Sequence, residues 1–172
     1  MSNIRWSIAL PWTLIAAASF AGLFFLYQAN KPVSPLPETI KSTMDFSPFV
    51  LPTDNPHYTS ENFTYGAPDD KQPDVRVLRF VATSKTNSAK MTVTEQIIPD
   101  QFTDIPEYKE KFLEGYRSDT VQSANGIIYI GKKDNQEIGI MFEKGLMVFL
   151  YPEQTISKNE WRQFAETLEI VR

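Results

Sequence analysis

Hydrophobic and polar positions divide the chain into three stretches. From Ile8 to Tyr27 (IALPWTLIAAASFAGLFFLY) there is no ionisable side chain before the terminal tyrosine. Between Ala29 and Pro56 the pattern breaks around Pro32, Pro35, Pro37, Pro48, Pro52 and Pro56, half of the twelve prolines. From Tyr58 to Arg172 apolar positions recur at strand and helix periods.

The third stretch predicts an antiparallel sheet. Val75 to Thr83 (VRVLRFVAT) is an apolar run of strand length. Lys90 to Ile98 alternates, with Met91, Val93 and Glu95 on one face and Thr92, Thr94 and Gln96 on the other. The polar Ser84–Ser88 between them reads as a hairpin loop. Pro106 to Tyr116 predicts a helix: Pro106 suits its first turn, Glu107 and Glu110 its positive end, and Gly115 its exit. Tyr108, Phe112 and Tyr116 share one face at four-residue spacing. Four short strands follow as a meander. Asn125-Gly126 separates Thr120–Ala124 from Ile127–Ile130, Lys132 to Asn135 leads into Ile138–Phe142, and Glu143-Lys144-Gly145 turns into Leu146–Tyr151. Ser157-Lys158-Asn159-Glu160 matches a capping box, after which Trp161, Phe164, Ala165 and Leu168 form one apolar stripe. The fold class expected is α+β: an N-terminal transmembrane helix, a Pro-rich linker, and an antiparallel sheet with two helices, the C-terminal one packed on the sheet.

The first stretch predicts the membrane helix. Twenty residues at ~1.5 Å each cover about 30 Å, a bilayer's hydrocarbon thickness. Trp6 and Trp12 near one end and Tyr27 at the other suit the interfaces. The small residues Ala16 to Ser19, Ala21 and Gly22 permit close helix approach, although no GxxxG spacing occurs. Ser19-Phe20-Ala21 fits a leader cut after Ala21, but Gly22 to Tyr27 continues apolar beyond it, and Tyr27 is too large for a cut after Ala29. A lipoprotein anchor needs a cysteine, and the chain has none. A buried helix of a soluble protein is the remaining alternative. Arg5 and the α-amino group nearly balance Lys31 and Lys41. The seven-residue head, with Arg5 close to the apolar run, and the large acidic tail resemble a signal anchor. The expected organisation is a cytoplasmic head 1–7, a single span 8–28, a semi-rigid linker 29–57 and an extracytoplasmic domain 58–172 at the cell membrane. Within the linker, Phe46, Phe49, Val50 and Leu51 are too apolar for a pure spacer and are expected to dock on the body's core.

Charge narrows the partners. His57 onward carries 14 Lys/Arg against 18 Asp/Glu without a basic run, which argues against nucleic acid and anionic lipid surfaces as main partners. The absence of cysteine removes disulfide and thiol chemistry. His57, the only histidine, lies beside Pro56 at the linker's edge and reads as a solvated loop residue. No Gly-x-Ser-x-Gly, Ser-x-x-Lys or Gly-rich phosphate loop occurs. No catalytic residue, cofactor or metal ligand is therefore assigned. Asp69, Asp70 and Asp74 lack calcium-loop spacing and read as a solvated acidic turn. Asn62-Phe63-Thr64 matches the N-glycosylation pattern, which also arises often by chance. The candidate binding surface comprises Tyr58, Phe63, Tyr65, Phe102 and Tyr151 at loop or strand ends, with Glu95, which shares a strand face with Met91 and Val93.

MTVTEQIIPDQF (Met91–Phe102), NGIIYIG (Asn125–Gly131) and TISKNEWRQFAETL (Thr155–Leu168) together resemble uncharacterised bacterial single-pass membrane proteins with a small exported α+β domain. More distantly they resemble the exported sheet-plus-helix domains of anti-sigma factors and lipoprotein carriers. That resemblance implies a tethered domain and transfers no catalytic residue. The sigma-binding helices of anti-sigma factors have no counterpart in the seven residues before the span. Two functions follow as expectations. The first is a non-enzymatic, membrane-tethered binding or accessory domain with an envelope protein or peptide as partner, in an oligomeric state the sequence leaves open. The second is a cell-envelope enzyme using carboxylates such as Glu95 on wall polysaccharide.

Overall fold

A computed structural model describes residues 34–171. The predicted head, the predicted span and the first residues of the predicted linker lie outside the described residues. No helix among the described residues is long and apolar enough to cross a membrane.

The described chain is a sheet-rich α+β fold. A short helix α1 (Glu38–Lys41) and a two-residue strand β1 (Phe49–Val50) precede β2 (Tyr58–Gly66), β3 (Val77–Ser84) and β4 (Lys90–Ile97). Helices α2 (Asp100–Asp104) and α3 (Pro106–Glu114) follow. After them come β5 (Asp119–Ser123), β6 (Gly126–Lys133), β7 (Gln136–Glu143), β8 (Leu146–Pro152), α4 (Lys158–Glu166) and β9 (Glu169–Ile170). Seven strands form one sheet in the order β2-β3-β4-β8-β7-β6-β5, every neighbouring pair antiparallel. β1 pairs with β9 as a separate two-stranded ladder, Phe49 opposite Ile170.

Local chemistry sets the turns. Asp134 and Asn135 (φ 51° and 65°), then Lys144 and Gly145 (φ 51° and 79°), supply the two left-handed residues of a tight hairpin connection. The β5–β6 turn differs from the expected Asn-Gly corner. Its two loop residues are Ala124 and Asn125, and Gly126, at φ 111°, opens β6 opposite Ser123. β2 was not legible as a strand, and it carries a register shift between Glu61 and Thr64 with Asn62 at φ 58°.

The sheet has two unlike faces. On the front face Leu78, Phe80, Ala82, Met91, Val93, Val148, Leu150, Met141, Ile128 and Val121 form the main core. α4 covers it with Trp161, Phe164 and Ala165, its capping box closed by Ser157 N–H to Glu160 (2.7 Å) and Glu160 N–H to Ser157 (3.3 Å). Gly139 makes room for the indole: a Cβ there would stand 2.6 Å from the Trp161 ring. The Pro-rich segment belongs to the same core, with Leu36, Phe49, Val50 and Leu51 buried.

On the back face α2 and α3 lie over β7 and β8, where Ile138, Ile140 and Met147 are buried beneath Phe102, Phe112 and Tyr116. Gly131 permits this approach, because a Cβ would fall 1.6 Å from the Tyr116 carbonyl oxygen. The expected three-aromatic helix stripe is used only in part. Phe112 and Tyr116 pack against the sheet, whereas Tyr108 is 50% exposed, one turn short of the contact.

Candidate functional site

The six residues of the candidate binding surface are split between the two faces. Tyr58 opens β2 with its ring edge-on to Phe164 at 5.1 Å, and burial raises its hydroxyl pKa, with Glu160 adding to the shift. Phe63 stacks on Phe80 at 5.2 Å. Tyr65 donates to Asp45 Oδ1 at 2.7 Å and packs edge-on against Phe46. All three therefore serve the front-face core or its rim.

Glu95 points into that core and is 0% exposed. Phe49 N–H donates to its Oε2 at 2.8 Å, while Oε1 has no hydrogen-bond partner among the described residues. Burial pushes the carboxyl up to about 8, opposed only by the Phe49 amide, and no second carboxylate contributes to the shift. A residue closed off from solvent and without a partner acid is not placed to act on a polysaccharide.

Phe102 and Tyr151 lie on the back face. Phe102 meets Phe112 at 5.3 Å and Phe142 at 6.2 Å within the layer beneath α2 and α3. Tyr151 sits at the margin of that layer, its ring nearly parallel to Phe149 (16°, 6.2 Å). Burial, then Tyr116, raises its hydroxyl pKa, while a hydrogen bond with Thr94 works in the opposite direction. The hydroxyl is thus protonated at neutral pH and able to donate.

Tyr151 marks the edge of a more open patch. Strand register sets out two rows across β3, β4 and β8: Arg79–Thr94–Phe149 and Val81–Thr92–Tyr151. Arg79 is exposed, and Val81, Thr92, Thr94, Gln96, Phe149 and Tyr151 are partly exposed. Two ring surfaces, hydroxyls that both donate and accept, and one guanidinium suit stacking and hydrogen bonding. No nucleophile–base pair is present in these rows. Their side chains alternate with the buried Met91, Val93 and Glu95, so the period-two pattern identifies their face. Their assembly with Phe149 and Tyr151 depends on the β4–β8 pairing across some fifty residues of sequence.

Elsewhere the polar groups do structural work. Among the described residues no group of three or more His, Cys, Asp or Glu side chains could hold a metal ion. Asp69 Oδ1 accepts from Lys71 N–H at 2.8 Å, shaping the acidic turn from within. His57 is exposed, and its backbone N–H donates to Asn55 Oδ1 at 2.9 Å. Buried Asn55 also takes the Tyr58 amide on the same oxygen, and its carbonyl accepts from Lys85 Nζ. Asn62 of the glycosylation pattern is exposed on the β2 bulge.

No family model matches the chain, and no curated protein or solved structure matches it either.

Proposed function

We propose that this chain is a single-pass membrane-anchored protein displaying a non-enzymatic extracytoplasmic domain that binds an envelope protein or peptide through its back face. The observation that carries the reading is the partly exposed double row of Arg79, Thr92, Thr94, Phe149 and Tyr151, which offers contact chemistry without reactive groups. The run from Ile8 to Tyr27, without an ionisable side chain before the terminal tyrosine, supports the anchor, with the N-terminus inside and the body outside. The burial of Glu95, one of the carboxylates the polysaccharide-cleaving alternative would draw on, favours the binding reading.

The test has two arms, both on the full-length chain in native membranes. Protease added from outside should digest a C-terminal tag while the protein resists alkaline extraction; a protected tag or an extractable protein overturns the anchor. A photo-crosslinking residue at Thr92 should give one discrete adduct, lost in Tyr151→Ala, whereas the same probe at Thr120, an exposed position of edge strand β5, should not. Equal adducts from both positions would overturn the assigned face.

A further inference from the structure

We propose that Glu95 is a protonation-dependent clamp, holding the segment 34–56 on the front face of the sheet as a neutral acid and loosening it as a carboxylate. The inference is independent of the back-face reading and of the anchor.

The geometry is an interface closed on one polar contact. Phe49 and Val50 are buried beside β9, and among the described residues the only hydrogen bond the Glu95 carboxyl makes is the one its Oε2 accepts from the Phe49 amide, 46 residues away in sequence. A neutral acid suits this site: its carbonyl oxygen accepts from Phe49, and its hydroxyl leaves no uncompensated charge in the core. A carboxylate does not suit it. Its register neighbours on β3 and β8 are Leu78 and Val148, both fully buried. Arg79 of β3 and Tyr151 of β8 belong to the opposite face. On the docked segment Asp45 is exposed and engaged by the Tyr65 hydroxyl. On β9, Glu169 is exposed. The charged residues of α4 are occupied or solvated: Lys158 pairs with Asp119, Glu160 caps its own helix, Arg162 donates to the Gln122 carbonyl, and Glu166 is exposed. None of these groups contributes to the Glu95 shift, which comes from burial opposed by the Phe49 amide alone.

Linkage then sets the direction. With the segment undocked, Glu95 meets water and loses its proton near the ordinary carboxyl value of 4.5, whereas docked it keeps the proton to about 8. Between those limits each pH unit raises the undocked population about tenfold, and above the upper limit the effect levels off.

Hydrogen exchange of the full-length chain in detergent micelles tests this, using Glu95→Gln as the reference at each pH because intrinsic exchange also rises with pH. Glutamine keeps the acceptor for Phe49 and cannot ionise. The wild-type to Gln ratio of exchange rates over residues 34–56 should climb about tenfold per unit from pH 5 to 8, with the segment exchanging faster than the β6–β7 hairpin at every pH, so that its opening is separate from global unfolding. A pH-independent ratio, or segment exchange no faster than that of the hairpin, overturns the clamp. Should Glu95→Gln fail to fold, carboxyl-labelled glutamate NMR of the wild type reads the same step. A Glu95 resonance titrating near 8 together with loss of the Phe49 amide signal supports the proposal. Titration near 4.5, or an unaffected Phe49 amide, overturns it.

Discussion

Single atoms decide more in this fold than most side chains do. Glu95 sits in phase with Met91 and Val93, so its inward direction was legible from the alternation; its lone bond to Phe49 was not, because that partner lies 46 residues away. The sign of its contribution follows from the raised pKa. The folded state keeps a proton that the unfolded state has lost, so stability is full below about 4.5, declines as pH rises to about 8, and is flat above. Glu95→Gln should therefore raise the unfolding midpoint at pH 8 and flatten its pH dependence. The gain is on the order of 3–5 kcal/mol at most, since one pKa unit corresponds to about 1.4 kcal/mol and the unused amide protons offset part of it. Thermal melts of both proteins at pH 5 and pH 8 check this. Gly131 is the opposite kind of position, one defined by an absent atom. Gly131→Ala would drive a methyl into the Tyr116 carbonyl, and backbone cannot step aside as a flexible side chain can. A loss of about 3 kcal/mol or more is expected in denaturant titration, against little effect for alanine at Gly66, which has open space around it.

At the scale of elements, hairpins with strong turn residues and alternating strands were readable, and the irregular edge was not. The β7–β8 hairpin joins two periodic runs at Lys144-Gly145. β2, in contrast, spends Ser60, Glu61, Asn62 and Thr64 on an edge with a bulge, where polar residues meet solvent and no clean alternation is required. α2 carries little signal in the sequence for a similar reason: it is five residues long, without a side-chain cap, and its Phe102 contributes the apolar contact that holds it. Asn125 shows a turn residue taken over by a helix. Its side-chain amide donates to the Ala165 and Leu168 carbonyls, each at 2.7 Å, satisfying the C-terminal end of α4. Asn125→Asp should remove those donors and set a negative charge against the helix's negative end, lowering stability by about 2–3 kcal/mol. Deamidation before Gly126 yields aspartate and isoaspartate, both charged and without those amide donors, so an aged sample resolved by ion exchange should yield acidic forms with a depressed melting temperature.

For the whole molecule, the Pro-rich stretch carries the largest consequence. Proline spacing reads as an extended spacer, yet extended chain is also what lies flat on a sheet, and Leu36, Phe49, Val50 and Leu51 are buried there. Each such side chain contributes about 1.5–3 kcal/mol. Ordering the segment's backbone costs about 1–2 kcal/mol per residue, so the net hold is a small difference between large terms, and the Glu95 proton is large beside it. A chain beginning at residue 34 should therefore fold with a cooperative melt, whereas one beginning at Tyr58 should leave the front core open, bind hydrophobic dyes and aggregate. Circular dichroism and light scattering on the two truncations check this. The back-face patch was legible only as separate strands, since a sheet face is assembled by pairing that no local pattern announces.

The ladder between β1 and β9 also sets a timetable. Phe49 pairs with Ile170, so the first strand of the body waits for the last, and the Val171 amide adds a bond to the Pro48 carbonyl. During synthesis Glu169 and Ile170 must leave the ribosome before that edge can form. Until then the segment around Phe49 lacks its strand partner, and the nascent body completes its front core only after β9 has emerged.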